Sequence, residues 1–190
     1  MRVSVLGVGA IGSVVAAALA TTDVELHLHV RGERGAAQML QGVAVSGHRT
    51  LNIAAARFLF SCEELPLDDG LLQGSDLVIL ACKSSDVPHL AQTATSFLKT
   101  GGVVLALCNG LGHVDALTRI HGPSSVLAAS TTHGAYAEGE GVVWAGFGGV
   151  GFAAPPLGPD TKRLEAVVSI FEAAELNPWI HEDAATLIWE

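Results

Sequence analysis

A triplet of glycines near the start of the chain restricts its fold more than any later feature. Gly7, Gly9 and Gly12 have the spacing G-x-G-x-x-G, set between the apolar run VSVL and the alanine-rich run AIGSVVAAALA. A β-type run before the glycines and a helical run after them is the context in which this spacing means a dinucleotide-binding turn. In such a turn Gly7 permits the sharp bend, Gly9 lets a diphosphate approach the backbone, and Gly12 lets helix and strand pack closely. Gly7, Val8, Gly9, Ala10, Ile11 and Gly12 are therefore candidate cofactor-binding positions, with the N–H groups at the helix start directed at phosphate. The same stretch imitates two other segments. Arg2, an uncharged run and Ala-Leu-Ala resemble a secretory signal peptide. The run from Val3 to Ala20 also approaches the length of a membrane span. Neither alternative explains the glycine spacing, and the turn does.

The residue that ends the next strand selects the nucleotide. Folds that bind NAD commonly place an Asp or Glu there to hold the ribose 2′-hydroxyl. Here the run VELHLHV is followed by Arg31, then Glu33 and Arg34. A carboxylate would repel a 2′-phosphate, whereas a guanidinium binds it through two N–H groups and stacks on adenine. NADP is the expected cofactor, with Glu33 read as a solvated loop charge.

The remaining runs predict an α/β class. Residues 34–41 read as a short helix ending at Gly42, and GVAVSGHRTLNIAA as a hairpin. DLVILAC (76–82) and VVLALC (103–108) are continuous apolar runs, as expected for central parallel strands. SSDVPHLAQTATSFL, with Pro88 early in it, reads as a helix before Gly101 and Gly102. SVLAAST is a further strand, and residues 133–154 alternate with glycine turns like an antiparallel meander. A helix (160–174) and a short strand, PWIH, follow. The predicted architecture is a Rossmann-type, doubly wound, mostly parallel sheet with an added antiparallel meander. A net charge of −9, without any basic run, argues against nucleic acid and acidic membrane surfaces as partners. Cys62, Cys82 and Cys108 form no CxxC and point to a reduced, cytoplasmic setting. His27 and His29 share a strand face, but two ligands do not make a metal site, and no metal is expected.

In an open α/β sheet, ligands gather beyond the carboxyl ends of the strands. Lys83, Asn109 and the segment TTHGA (131–135) each follow a buried run at such an end. With these positions added, VLGVGAIG, Arg31, CKSSDV, CNGLGH and STTHGA together resemble the N-terminal half of the ketopantoate reductases (2-dehydropantoate 2-reductases). The resemblance implies that the glycine turn and Arg31 bind NADPH. It implies that Lys83 and Asn109 lie near the nicotinamide and the substrate, and that Ala135 lines the cofactor. His133 is open between a cofactor contact and a strand cap.

The resemblance implies a domain plan as well. Residues 1–181 would form the NADP-binding domain. Residues 182–190, capped by Asp183, would begin the helix leading to an all-helical second domain that this chain lacks. The family's catalytic Lys, which protonates the keto oxygen, would follow Glu190, so no catalytic residue is assigned within the chain. The activity implied is NADPH-dependent reduction of a 2-keto acid, with 2-dehydropantoate as substrate in pantothenate biosynthesis. The alternative is a stand-alone or truncated NADP-binding module without turnover. An exposed apolar face at Leu187 and Trp189 would favour a homo-oligomer.

Overall fold

The apolar runs that lack a polar face all go to the middle of one sheet. In the computed structural model, which describes residues 1–63 and 74–189, this sheet has five strands. They are β1 (Arg2–Leu6), β2 (Glu25–His29), β5 (Phe58–Ser61), β6 (Ser75–Leu80) and β7 (Leu98–Ala106), in the order β5-β2-β1-β6-β7. Every pairing is parallel. Alternation along the strands sends Val5, Ile79 and Leu105 to one core and Leu6, Leu80 and Ala106 to another, so both faces are buried. Strand order reverses between β1 and β6, which is where a doubly wound sheet opens a ligand crevice.

Helix α1 (Ala10–Leu19) covers the first face, and α3 (Val87–Ala94) with α4 (His113–His121) covers the second. Every residue of α1 from Gly12 to Leu19 is buried. A second sheet explains this. It contains β3 (Val43–Gly47), β4 (Leu51–Ile53), β9 (Gly134–Glu138) and β10 (Gly141–Gly146), in the order β4-β3-β10-β9. Its Val43, Val45, Val142 and Trp144 join α1 in one core. A helix apolar on all sides is here a helix held between two sheets. Among the described residues no helix is long and apolar enough to cross a membrane.

A third sheet extends the first beyond β7. Its strands are β8 (Ala128–Thr131), β11 (Val150–Ala153) and β12 (Pro178–Ile180), in the order β12-β11-β8. The Leu127 N–H donates to the Val104 carbonyl at 3.1 Å, joining the two sheets. Helix α5 (Thr161–Ala173) follows, its Arg163 N–H donating to the Asp160 carboxylate at 2.9 Å. Helix α2 (Gly32–Gln41) begins just after Arg31 and stops at Gly42, whose φ of 90° only glycine adopts readily.

Three sequence expectations differ from the structure. The meander over 133–154 is split: β10 pairs antiparallel with β9 but parallel with β3, while β11 leaves to pair with β8. The helix expected up to Leu98 ends at Ala94. There the N–H groups of Thr95, Ser96 and Phe97 bond three residues back, tightening the chain so that Phe97 is buried against His27 and His29. Strand β7 thus starts at Leu98, ahead of Gly101 and Gly102. In α6 (Ala184–Trp189), Asp183 accepts from the Thr186 N–H at 2.7 Å, as expected of a cap. Leu187, however, is 1% exposed and packs on Ala128 and Ala153, which leaves only Trp189 of the expected pair exposed, at 74%. Glu190, on which the expectation of a following lysine turns, lies outside the described residues.

Polar side chains on the second face of the sheet form a buried chain across four strands. Ser75 Oγ pairs with Ser4 Oγ at 2.7 Å, and Ser4 Oγ with His27 Nδ1 at 2.9 Å. Ser61 Oγ pairs with His27 Nε2 and with His29 Nδ1, each at 2.8 Å. Among the described residues no group of three His, Cys, Asp or Glu is placed to hold a metal.

Candidate cofactor-binding site

The glycine turn opens a cavity of about 580 Å³ at the reversal point of the sheet. Its three glycines have three different surroundings. Gly7 has φ 84°, and a Cβ there would lie 2.9 Å from the Ala81 carbonyl oxygen. A Cβ on Gly12 would run into the Gly7 carbonyl oxygen and sit 3.2 Å from Ala81 Cβ. Gly9 has nothing within 4 Å of its Cβ position. The protein's own packing therefore requires Gly7 and Gly12, while the space at Gly9 belongs to the cleft.

The start of α1 suits an anion. The Gly9 carbonyl accepts from the Ser13 N–H at 2.9 Å, beginning the helix, and no side chain caps it. No acidic residue lies in its first turn. The first N–H groups of a helix have no partner within it, and the helix dipole adds positive potential there. Ala10 and Ile11 carry such groups into the cavity wall. The Val8 carbonyl oxygen, which would repel phosphate, is engaged by Gln38 Nε2 at 3.1 Å and Ser13 Oγ at 3.5 Å. Gln38 is 4% exposed and comes from α2.

Arg31 lies at the β2 end of the cavity, together with His29, Arg34 and Asp86. The Arg34 guanidinium donates to the carbonyls of Gly141 at 3.3 Å and Gly139 at 3.4 Å, which ties it to the turn between β9 and β10. The Arg31 side chain is 69% exposed and meets the Asp86 carboxylate at 3.3 Å.

A second cavity of about 460 Å³ shares Ile11, Cys82, Lys83 and Leu107 with the first and adds Asn109, Thr131 and His133. Lys83 follows β6 and Asn109 follows β7; both are exposed. The loop after Asn109 is fixed by Gly110 and Gly112, at φ 110° and 88°, and by the His113 Nδ1–H donating to the Gly110 carbonyl at 2.9 Å. Both ring nitrogens of His133 are committed to backbone. Its Nδ1 accepts from the Gly148 N–H at 3.0 Å, and its Nε2–H donates to the Leu176 carbonyl at 3.1 Å. Burial pushes its pKa below the usual value. His133 is thus a neutral wall residue that joins the loop before β11 to the segment between α5 and β12, and neither ring nitrogen is left to donate a proton to a ligand. Burial pushes the thiols of Cys82 and Cys108 up to about 12 and about 11, so neither is a thiolate nucleophile at neutral pH.

The structure brings Gly7, Val8, Gly9, Ala10, Ile11, Arg31 and Lys83 to one cavity and Asn109 to its extension. Gly12 lies behind the wall. Ala135 stands in β9 opposite Trp144, packs on the α1 core and lines neither cavity. Gln38 and Asp86 line the site without having been singled out in the sequence. Gln38 follows Arg31 and Arg34 at helical spacing, a signal available in principle. For Asp86 the only local signal is a capping position before Pro88.

Comparison with known proteins bears on the family and the fold. The family model described as ketopantoate reductase PanE/ApbA matches residues 3–155. The 2-dehydropantoate 2-reductase of Pyrococcus abyssi (strain GE5 / Orsay) is 30% identical over 190 residues, covering 100% of this chain and 59% of that protein. The one from Halobacterium salinarum (strain ATCC 700922 / JCM 11081 / NRC-1) is 28% identical, with 100% and 61% covered. The chain spans about three-fifths of the length of these curated relatives. Two solved structures share the fold. The 2-dehydropantoate 2-reductase from Geobacter metallireducens GS-15 has a TM-score of 0.81 at 23% identity, over 100% of this chain and 60% of that one. A ternary structure of D-mandelate dehydrogenase with NADH and anilino(oxo)acetate has a TM-score of 0.83 at 23% identity, over 100% and 59%.

Proposed function

Because this chain belongs to the ketopantoate reductase PanE/ApbA family, we propose that it is the cofactor-binding half of an NADPH-dependent 2-keto acid reductase acting on 2-dehydropantoate. One observation carries the reading. The uncapped start of α1, the open space at Gly9 and the Arg31 guanidinium all border one cleft at the sheet's reversal point. NADPH, when bound, supplies the hydride delivered to the keto carbon. The chain's own residues do the holding and the orienting. The N–H groups at the start of α1 bind the diphosphate, with the Val8 carbonyl turned to Gln38. Arg31 takes the 2′-phosphate. Lys83 and Asn109, on the rims of β6 and β7, hold the keto acid near the nicotinamide, and Lys83 places a cation where negative charge develops.

Lys83 is the lysine that borders the cleft. Of the chain's lysines, Lys99 is paired with Asp76, and Lys162 lies on α5, away from the cleft. The free thiols of Cys62, Cys82 and Cys108 suit a reducing cytoplasm.

The test is a titration with NADPH and with NADH, followed by nicotinamide fluorescence, on the unaltered chain and on Arg31→Ala. Loss of a charge-assisted pair should weaken NADPH roughly ten- to hundred-fold and leave NADH within about two-fold. NADPH affinity that survives the substitution would remove Arg31 from the 2′-phosphate, and an unaltered chain that binds NADH as tightly as NADPH would remove the choice of NADP.

A further inference from the structure

Asp86 occupies the N-cap position of α3, yet its side chain makes no cap hydrogen bond. An aspartate there ordinarily accepts from a helix N–H and stabilises the helix. This one faces elsewhere. Its Oδ2 meets Arg31 Nη2 at 3.3 Å, and its Oδ1 accepts from Ser85 Oγ at 3.3 Å. Both Arg31 and Asp86 line the cofactor cavity. Arg31 stands past the end of β2, Asp86 in the turn after β6, and β1 lies between those strands. The ion pair therefore crosses the end of β1, where the glycine turn begins.

We propose that the Arg31–Asp86 pair is a latch across the cofactor cleft, and that Asp86 limits how strongly this chain discriminates NADPH from NADH. The inference rests on the assignment of Arg31 to the 2′-phosphate. A 2′-phosphate that takes the guanidinium draws Arg31 away from Asp86 and then lies beside a carboxylate of its own sign. A 2′-hydroxyl carries no charge, so it neither competes for Arg31 nor suffers the repulsion. Asp86 accordingly opposes the phosphorylated cofactor alone.

Neighbouring charges do not take over this part. Glu63 also lines the cavity, but its carboxylate is held by a hydrogen bond to His89 Nε2 at 3.3 Å and makes no contact with Arg31, and Arg34 is tied to the carbonyls of Gly139 and Gly141. The Arg31 and Asp86 side chains are 69% and 39% exposed, so the pair is solvent-screened and its effect is modest, roughly two- to five-fold in affinity.

The experiment compares the unaltered chain with Asp86→Asn. Adenosine 2′,5′-bisphosphate and AMP are titrated by calorimetry, and NADPH and NADH by fluorescence. Asp86→Asn should tighten the bisphosphate and NADPH roughly two- to five-fold, leave AMP and NADH unchanged, and lose most of this gain in 1 M salt. Asp86→Ser keeps a capping oxygen and should give the same shift, so the inference stays testable if the Asn variant folds poorly. An unchanged NADPH-to-NADH ratio in these variants, or weaker NADPH binding, overturns the latch while the chain's own preference for NADPH leaves the cofactor assignment standing. An unaltered chain that binds NADH as tightly as NADPH overturns that assignment itself.

Discussion

Acidification should destabilise this fold through His27, and the size of the effect follows from its place in the sheet. His27 is 0% exposed, with Nδ1 paired to Ser4 Oγ and Nε2 to Ser61 Oγ. Burial, then the proximity of His29 and of Arg2, lowers its pKa from 6.5 to about 3. The unfolded chain therefore takes up a proton below pH 6.5, while the folded one stays neutral at this position until about pH 3. Stability from this group is complete above pH 6.5 and is lost as the pH falls, at up to about 1.4 kcal/mol per unit. Over the two units down to pH 4.5 the loss is about 2.7 kcal/mol, a large part of the ~5–15 kcal/mol that holds a domain together. Urea unfolding at pH 7, 6, 5 and 4.5, on the chain and on His27→Gln, measures it. Gln keeps a polar group of similar reach and does not titrate, and the comparison is of slopes with pH, so a constant loss of stability in the variant does not enter. The contributions of His113, His121 and His133, also lowered by burial, cancel in the difference. Parallel stability curves for the two proteins would refute the reasoning. So would a His27 ring signal that titrates above pH 4.5 in the folded state, a check that requires no substitution.

Two further outcomes concern the glycine turn. Gly12→Ala should cost roughly 1–3 kcal/mol, lowering the thermal midpoint by several degrees, because its Cβ meets the Gly7 carbonyl. Gly9→Ala should leave the midpoint nearly unchanged and weaken NADPH at least about ten-fold, because its Cβ enters the open space in which the proposed diphosphate would lie; thermal scans paired with NADPH titrations distinguish the two. Gln38→Leu should lose about 0.5–1.5 kcal/mol, since it leaves the buried Val8 carbonyl with only the longer Ser13 Oγ contact, and should also weaken NADPH as that carbonyl is held less firmly away from the cleft. Denaturation and cofactor titration on the same variant check both effects together.

How much of this was legible in the sequence depended on how local each signal is. The turn at Gly7, the buried runs at 76–82 and 103–108, the hairpin of β3 with β4, and the Asp183 cap all express periodicity or capping chemistry within a few residues. Helix α1 shows the limit of such signals. Its alanine-rich run fits a signal peptide, a membrane segment and a buried helix equally well by composition. Only the glycines before it separated these readings, and only the sheet on its far side explains why no polar face was needed. Leu187 carried the opposite lesson: nothing in LIWE distinguishes a residue packed on Ala128 and Ala153 from one left in solvent, as Trp189 is.

By itself the sequence determined a strand–turn–helix unit with glycines at its bend, a guanidinium at the adjoining strand end, and strands buried on both faces. Steric freedom at glycine, charge sign and alternation are properties a residue carries with it, so they can be read along the chain. Tertiary structure alone decided that Asp86 would face Arg31 instead of capping its own helix, that Gln38 would take the Val8 carbonyl, and that β11 would leave β10 for β8. These contacts join residues 55, 30 and about 20 positions apart. Such pairings are chosen by which buried polar groups and apolar faces the whole fold brings together, and they leave no periodic trace in the chain.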